Sequence, residues 1–116
     1  MKRAGQIALM PFPYTNLSNS KKRPVLLLRQ LNDTWDDWLV CMVSSQLRQA
    51  DPDLDWVLTP DDNEFVASGL KVASAFRLSR LAALDGSLML GQLGVISDER
   101  LQQLRHHLGA WIASDR

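Results

Sequence analysis

The sequence predicts a mainly-β domain, a small barrel of short strands with one C-terminal α-helix packed on it. Two observations lead to this fold class. Short apolar segments separated by polar residues, Gly or Pro fill most of the chain, and an amphipathic helical pattern follows Ser97. Short strands at close spacing before a single helix are typical of small barrels. With 116 residues the chain has the size of one domain, so we predict a single domain over residues 1–116.

The predicted strands follow one another closely. The first covers residues 6–12 and ends at Pro11 and Pro13, and residues 14–22 form a polar loop. Two nearly continuous apolar runs then indicate strands that are covered on both faces, with a hairpin-like connection at Asn32-Asp33. These runs are residues 23–29 and 39–44, and shorter extended segments are predicted at residues 56–58, 71–78 and 88–95.

The closing helix has a clear start and a clear apolar stripe. Ser97 is a suitable N-cap, and Asp98 and Glu99 lie in the first turn, where the helix dipole favours anions. Apolar side chains then recur at helical spacing, which predicts a face packed against the barrel. They are Leu101, Leu104, Leu108, Trp111 and Ile112.

Composition favours a globular protein of a reducing compartment. Hydrophobic residues make up 46% and charged residues 22% of the chain. The longest apolar runs fall short of the roughly 18 to 20 residues that cross a bilayer, and the prolines near the start argue against a signal peptide. The single cysteine, Cys41, cannot form an internal disulfide and is expected to be a core thiol. We therefore expect a cytoplasmic protein with no membrane partner.

Charge is balanced in total but uneven along the chain. Thirteen Lys and Arg residues offset thirteen Asp and Glu residues, which argues mildly against an extended nucleic-acid surface. Basic residues cluster at Lys21, Lys22 and Arg23, whereas many acids lie between Asp51 and Glu64. This separation permits a basic cleft on a neutral protein. Scattered solvated charge is the alternative interpretation.

Metal and cofactor chemistry finds little support. Asp51, Asp53 and Asp55 alternate like calcium ligands, but the glycine of a calcium loop and the flanking helices are missing. His106 and His107 are adjacent and point about 100° apart on a helix, so they cannot bind zinc from one face. No phosphate-binding glycine loop or Ser/His/Asp arrangement is apparent. We expect neither a metal nor a cofactor.

Two strand termini carry candidate chemistry. Pro24 disfavours the helical conformation for Arg23, so this arginine should enter its strand extended, where its guanidinium could grip a phosphate. A basic residue that keeps a turn soluble is the alternative. The apolar strand 39–44 stops at Ser44-Ser45-Gln46, which could donate hydrogen bonds to an anion or form an ordinary polar turn. Arg77 lies within an apolar segment, so its charge must reach solvent or a partner.

In this order the motifs resemble the MazF/PemK family of toxin ribonucleases. The opening blocks are Gly5-Gln6-Ile7, Pro11-Phe12-Pro13-Tyr14-Thr15 and Lys22-Arg23-Pro24-Val25. The later blocks are Val43-Ser44-Ser45-Gln46, Gly69-Leu70-Lys71, Arg77-Leu78, Leu84-Asp85 and the segment from Gly91 to Glu99. The resemblance spans nearly the whole chain, and the ordered set is more specific than any single block.

The resemblance implies a fold, a reaction and partners. The fold is the SH3-like barrel of CcdB, Kid and MazF, and the assembly is a homodimer that a cognate antitoxin protein inhibits. The reaction is metal-independent cleavage of single-stranded RNA at short sequences. The ribose 2′-OH attacks the adjacent phosphate, which gives a cyclic phosphate and a 5′-hydroxyl fragment.

The resemblance also assigns roles to individual residues. Arg23 and Ser44 match the catalytic arginine and the catalytic Ser or Thr of the family. Arg77 matches an arginine that some relatives use near the scissile phosphate, and Ser45 and Gln46 are further candidates for catalysis or phosphate binding. The expected RNA-binding residues are Phe12, Tyr14, Lys21 and Lys22, although Phe12 could equally pack at the barrel mouth.

Two departures from the family pattern bear on activity. Gln6 replaces a common acidic residue, and Ser79 stands where some relatives carry an aspartate that acts as a base. A serine is a poor general base unaided, so the group that deprotonates the 2′-OH stays open. Two alternatives follow: a toxin on the same fold that binds DNA gyrase instead of cutting RNA, and an inactive interaction module. The Arg23 and Ser44 motifs favour the nuclease.

Overall fold

The computed structural model describes residues 2–13 and 20–114, with the side chains of residues 13, 20 and 21 left aside. Six strands and two α-helices make up the fold, together with short 3-10 helices at Leu47–Gln49 and Gly86–Leu88. The strands are β1 (Gln6–Pro13), β2 (Ser20–Gln30), β3 (Asp37–Ser44), β4 (Trp56–Leu58), β5 (Ser74–Asp85) and β6 (Gly91–Val95). The helices are α1 (Phe65–Ser68) and α2 (Asp98–Ala113). Within these ranges, neither helix combines the length and apolarity that a membrane span requires.

All strands belong to one antiparallel sheet. Its order is β4-β5-β3-β2-β1-β6, and the sheet curls into half a barrel. The long central strands pair as sequence neighbours, except that β5 returns beside β3 after the excursion through β4 and α1. The mainly-β fold with one long C-terminal helix is therefore confirmed.

Side chains alternate between two buried faces of the sheet. The helix face carries Leu26, Cys41 and Phe76, and α2 covers it with Leu101 and neighbouring leucines. The far face carries a second cluster, whose members include Met10, Phe12, Val25, Val40 and Met42. Because both faces of the sheet are buried, β2 and β3 have almost continuous apolar sequences.

The thiol of Cys41 is fully buried within the helix-face cluster. Burial in this apolar environment disfavours the thiolate and raises the pKa of Cys41 to about 12. The prediction that Cys41 is a core thiol is confirmed.

Several predicted boundaries were wrong. β2 begins at Ser20, because Lys21 and Lys22 pair with β1 and continue the hairpin beyond its apolar part; residues 14–19 of the predicted loop lie outside the described residues. β5 begins at Ser74 and continues to Asp85, because its less apolar second half pairs with β3. Residue 88 belongs to a 3-10 helix, so β6 starts only at Gly91.

Helix α2 begins as predicted. The Ser97 hydroxyl accepts a hydrogen bond from the Arg100 N–H at 3.1 Å, which is the expected N-cap. The apolar stripe is only partly buried. Leu101, Leu104 and Leu108 pack against the sheet, whereas Trp111 is 36% and Ile112 64% exposed, because the last turn passes beyond the sheet.

The short helix α1, which the sequence pattern did not predict, is held close to β6 by two glycines. Gly69 ends α1 with φ +71°, and a Cβ at this position would overlap the Leu93 carbonyl. A Cβ at Gly94 would overlap the backbone of Ala67 and Ser68. This close backbone approach fixes where the segment after α1 lies relative to the sheet.

Candidate active site

Arg23 and Ser44 lie side by side on neighbouring strands. Val25 of β2 and Met42 of β3 form the last pair of their ladder, and Arg23 and Ser44 each lie two residues beyond this pair at the same end. Both residues line one pocket of about 290 Å³. The structure thus brings together the two residues that the sequence singled out, 21 positions apart.

The pocket is completed by the segment that follows α1. Gly69, Leu70 and Lys71 form one wall, and Leu93 of β6 closes another side. Among the described residues, its polar lining comprises Arg23, Lys71, Ser44, Ser45 and Ser74, and no acidic residue lines it. The Ser74 hydroxyl donates to the Val72 carbonyl at 2.9 Å, so Ser44 and Ser45 are the candidate hydroxyl donors. A concave site with positive charge and hydroxyl donors suits an anion such as a phosphate group.

Ser44 is held in a defined orientation at the end of β3. It is 6% exposed, and its hydroxyl oxygen accepts a hydrogen bond from the Gln46 N–H at 3.1 Å. Because the oxygen acts as the acceptor in this turn, the O–H remains available as a donor. Arg23 is half-buried beside it, followed by Pro24 in the same pocket wall.

Arg77 lies on β5 and does not line the pocket. Its Nε donates to Asp55 Oδ2 at 3.2 Å, an ion pair with only 10% of the Arg77 side chain and none of the Asp55 side chain exposed. Of the two predicted possibilities, solvent or a partner, the structure shows a partner, and it is a carboxylate that sequence reasoning had not connected with Arg77. Ser79 also binds Asp55, through its N–H and its hydroxyl, each at 3.0 Å.

The other predicted contact residues are distributed unevenly. Ser45 lines the pocket and is exposed, while Gln46 is exposed and contributes its N–H to Ser44. Lys22 is exposed on β2, next to Arg23. Tyr14 and the side chain of Lys21 lie outside what the structure describes.

Phe12 packs within the far-face cluster and is 4% exposed, as expected for a packing role. A ring buried in this way presents little surface to a base, so stacking on RNA would require it to turn outward. Base stacking by Phe12 stays a prediction.

Gln6, one of the two departures from the family pattern noted in the sequence, is buried and hydrogen-bonded. It is 5% exposed, and its Oε1 accepts a hydrogen bond from the Arg3 N–H at 2.8 Å. Its Nε2 donates to Gln92 Oε1 at 3.2 Å, which ties β1 to β6. These bonds link neighbouring backbone segments rather than the pocket.

The residues weighed as metal ligands make other contacts. Asp55 binds Arg77, and His107 Nε2 lies 2.8 Å from the backbone oxygen of Asp53. Across residues 2–13 and 20–114, no group of three His, Cys, Asp or Glu side chains comes together as a metal site.

Sequence reasoning did not connect Lys71 with the pocket or Asp55 with Arg77. Lys71 belongs to the Gly69-Leu70-Lys71 block, and the match of this block to the family pattern could have indicated Lys71 as a candidate site residue. Asp55 gave no such signal, because its relation to Arg77 depends on the pairing of β4 with β5 across 22 positions.

Comparison with known proteins identifies a family and similar folds. The family model described as "PemK-like, MazF-like toxin of type II toxin-antitoxin system" matches residues 3–112. One similar solved structure is an endoribonuclease in complex with its cognate antitoxin from a mycobacterial species, with TM-score 0.66, 11% identity and coverage of 100% of this chain and 99% of that chain. Another is the MazE–MazF complex from Deinococcus radiodurans, with TM-score 0.67, 19% identity and 98% coverage of both chains. Among curated proteins, no sequence is significantly similar to this chain.

Proposed function

Because this chain belongs to the PemK-like, MazF-like toxin family of type II toxin–antitoxin systems, whose members are generally endoribonucleases, we propose that it cleaves single-stranded RNA. The proposed reaction is metal-independent and specific for a short sequence, and cutting mRNA in the cytoplasm would stop translation and growth. The observation that carries the proposal is the pocket shared by Arg23 and Ser44, which is lined by cations and serines and, among the described residues, by no carboxylate.

The reaction places its greatest demand on charge stabilisation. As the 2′-oxygen bonds to phosphorus and the bond to the 5′-oxygen breaks, negative charge builds up on the non-bridging oxygens. Arg23 can meet this charge with two hydrogen bonds, and the Ser44 hydroxyl can donate a third. The 2′-OH loses its proton and the departing 5′-oxygen gains one. Lys71 adds a positive charge that holds the RNA backbone at the pocket.

We also propose the assembly typical of the family. Both solved structures named above are complexes with an antitoxin, which supports a cognate antitoxin as the partner of this chain. An antitoxin that covers the Arg23 pocket would prevent the RNA phosphate from binding there and so would inhibit cleavage. A homodimer is the proposed form of the free toxin, and light scattering on the purified protein measures its mass directly.

The central test is cleavage of a long in vitro transcript in EDTA by the purified protein. We expect fragments with 5′-hydroxyl ends, which a polynucleotide kinase labels without prior phosphatase treatment. Arg23→Ala should cut about 10²- to 10³-fold more slowly, the usual cost of losing one donor to the transition state.

Arg29→Ala is the matched control, since Arg29 is an exposed arginine of the same strand. It should cut at the wild-type rate. Absence of cleavage by the wild-type protein at all tested salt and pH values, or equal cleavage by Arg23→Ala, would refute the proposed mechanism.

A further inference from the structure

The carboxylate of Asp55, just before β4, is the centre of a buried polar cluster. Oδ2 accepts from Arg77 Nε at 3.2 Å and from the Asp51 N–H at 2.8 Å. Oδ1 accepts from the Ser79 N–H at 3.0 Å, and the Ser79 hydroxyl donates to the same carboxylate at 3.0 Å. None of the Asp55 side chain is exposed.

These contacts fix the Arg77 guanidinium from one side. Nε faces Asp55, and Nη2 lies 3.4 Å from Ser79 Oγ. Within the part of the chain that the structure describes, no hydrogen bond engages Nη1. One nitrogen of a tightly oriented arginine is thus available to a further acceptor.

The sheet register places Arg77 on the face that carries Arg23 and Ser44. Arg77 pairs with Met42 and Ala75 pairs with Ser44, so Ser44 and Arg77 are diagonal neighbours on one face of the sheet. Diagonal neighbours are separated by about 7–8 Å, a distance that long side chains bridge. Arg77 and Ser44 are therefore close enough for their side chains to contact neighbouring groups of one ligand.

A bulge directly after Arg77 turns the strand. Met42 pairs with Arg77, but the preceding Cys41 pairs with Leu81, so residues 78–80 have no partner on β3. Bulges of this kind redirect side chains and occur beside active sites. Ser79 lies within this bulge and hydrogen-bonds to Asp55, just before the neighbouring strand β4.

On the premise of the proposed ribonuclease function, we propose that Asp55 is a positioning residue that holds Arg77 as a second phosphate-binding arginine of the active site. A carboxylate offers about four lone-pair sites, and the four donors from Asp51, Arg77 and Ser79 occupy them. Asp55 therefore does not touch RNA and does not take the 2′-OH proton. From its position just before β4, it supplies the carboxylate beside Arg77 that position 79 lacks.

The first test is a double-mutant cycle, in which the cleavage rates of Asp55→Asn, Arg77→Ala and the double variant are compared with that of wild type. Asp55→Asn should lower kcat by up to about 10²-fold, because a guanidinium displaced by an ångström no longer meets the phosphate. Arg77→Ala should show a loss of similar size. Because Asp55 acts through Arg77, the double variant should be no slower than Arg77→Ala alone. Asp53→Asn, a change at an exposed neighbour, is the control and should cut normally.

The second test moves the carboxylate. Ser79→Asp in the Asp55→Asn background should restore at least about tenfold of the lost rate, since the acid again lies beside Arg77. Circular dichroism and thermal unfolding of each variant separate folding from positioning. If Asp55→Asn does not fold, the Asp55→Asn/Ser79→Asp double variant is compared directly with wild type, and a folded but inactive double variant overturns the proposal.

The outcomes separate the two proposals. If wild type cuts RNA and folded Asp55→Asn cuts equally well, the positioning role is wrong while the ribonuclease stands. Additive losses for Asp55→Asn and Arg77→Ala also contradict it, because they place Asp55 and Arg77 in independent roles. If wild type does not cut RNA, the proposed function itself fails.

Discussion

Ser44 shows how one residue serves both the fold and the site. Its hydroxyl oxygen accepts the Gln46 N–H in the turn after β3, and its O–H remains available as a donor in the pocket that Ser44 lines. The same geometry that ends the strand therefore orients the group that would stabilise the phosphate. A substitution at this position acts on both, and the two effects are measured separately.

Ser44→Ala should lower the cleavage rate by about 10²- to 10³-fold, the cost of one missing donor to the transition state. It should also lower the free energy of unfolding by about 1 kcal/mol, because the Gln46 N–H loses its acceptor. Ser44→Thr keeps the hydroxyl and should keep most of the activity. Initial rates and urea unfolding of both variants check this, and equal activity of the alanine and threonine variants would exclude the donor role.

Lys71→Ala should weaken RNA binding more than it slows the chemical step. Lys71 is exposed at the rim of the pocket, so its charge attracts the backbone in the ground state and the transition state alike. We expect a several-fold higher KM with little change in kcat. Lys2→Ala, which removes a lysine paired with Asp36, is the control and should leave both constants unchanged. A selective fall in kcat for Lys71→Ala would instead place Lys71 in the chemistry.

At the scale of elements, the site depends on contacts far apart in sequence. Arg23 and Ser44 could be predicted as candidate site residues because each lies at the end of an apolar run. The end of such a run indicates the end of a strand. The wall formed by Gly69, Leu70 and Lys71 could not be predicted, because it depends on α1 lying against β6. A helix of only four residues has too little periodicity to be recognised.

Gly94→Ala tests the contact between α1 and β6. A methyl group there would overlap the Ala67 and Ser68 backbone, so either the fold is strained or α1 moves away. We expect a loss of about 1–3 kcal/mol in unfolding free energy and a lower cleavage rate, because Lys71 and Leu70 shift with α1. At Gly91 a Cβ meets open space, so Gly91→Ala is the control. A Gly94→Ala protein as stable as the Gly91→Ala protein would contradict the contact.

Glu64 joins α1 to α2. Its Oε1 accepts from the Ser97 N–H at 2.8 Å and its Oε2 from Arg100 Nε at 3.1 Å, while the Arg100 guanidinium lies 4.4 Å from the Trp56 ring centroid. Partial burial alone would raise the pKa of Glu64, but the hydrogen bonds from Ser97 and Arg100, together with the charge of Arg100, lower it below its ordinary value of 4.5. Folding therefore favours the charged carboxylate.

The sign of the shift gives a pH prediction. Stability from Glu64 is fully present well above pH 4.5 and is lost as the pH falls towards the lowered folded-state pKa. Glu64→Gln should be less stable than wild type at pH 7, and the difference should shrink below about pH 4.5. Urea unfolding at several pH values measures it, with Glu99→Gln, at an exposed position of α2, as control. A difference that stays constant down to pH 3 would rule out this linkage.

At the scale of the whole molecule, the sequence indicated the fold class and the central pair of residues because both depend on local pattern. Alternating burial on two faces and a capped closing helix are encoded within single segments. The Asp55–Arg77 pair depends on a crossover, in which β5 returns to lie between β3 and β4. No local pattern indicates such a neighbour, so the pairing of Asp55 with Arg77 was visible only in the assembled sheet.

The balanced total charge sets how this protein should hold RNA. With a formal net charge of zero, binding must come from a few local cations rather than from the field of the whole molecule. Arg23 and Lys71 line the pocket, and Arg77 lies on the same sheet face. Three phosphate contacts to a single strand predict a slope of about −2 for the logarithm of the binding constant against the logarithm of salt concentration.

The measurement uses a chimeric RNA with one 2′-deoxy sugar at the mapped cleavage site, which binds without being cut. Fluorescence anisotropy between about 50 and 200 mM salt gives the slope. Lys71→Ala should reduce its magnitude by about 0.7, since one contact is lost. A wild-type slope near −5 would show that the RNA follows a longer basic track that includes Lys22, and the three-contact interpretation of this neutral molecule would be wrong.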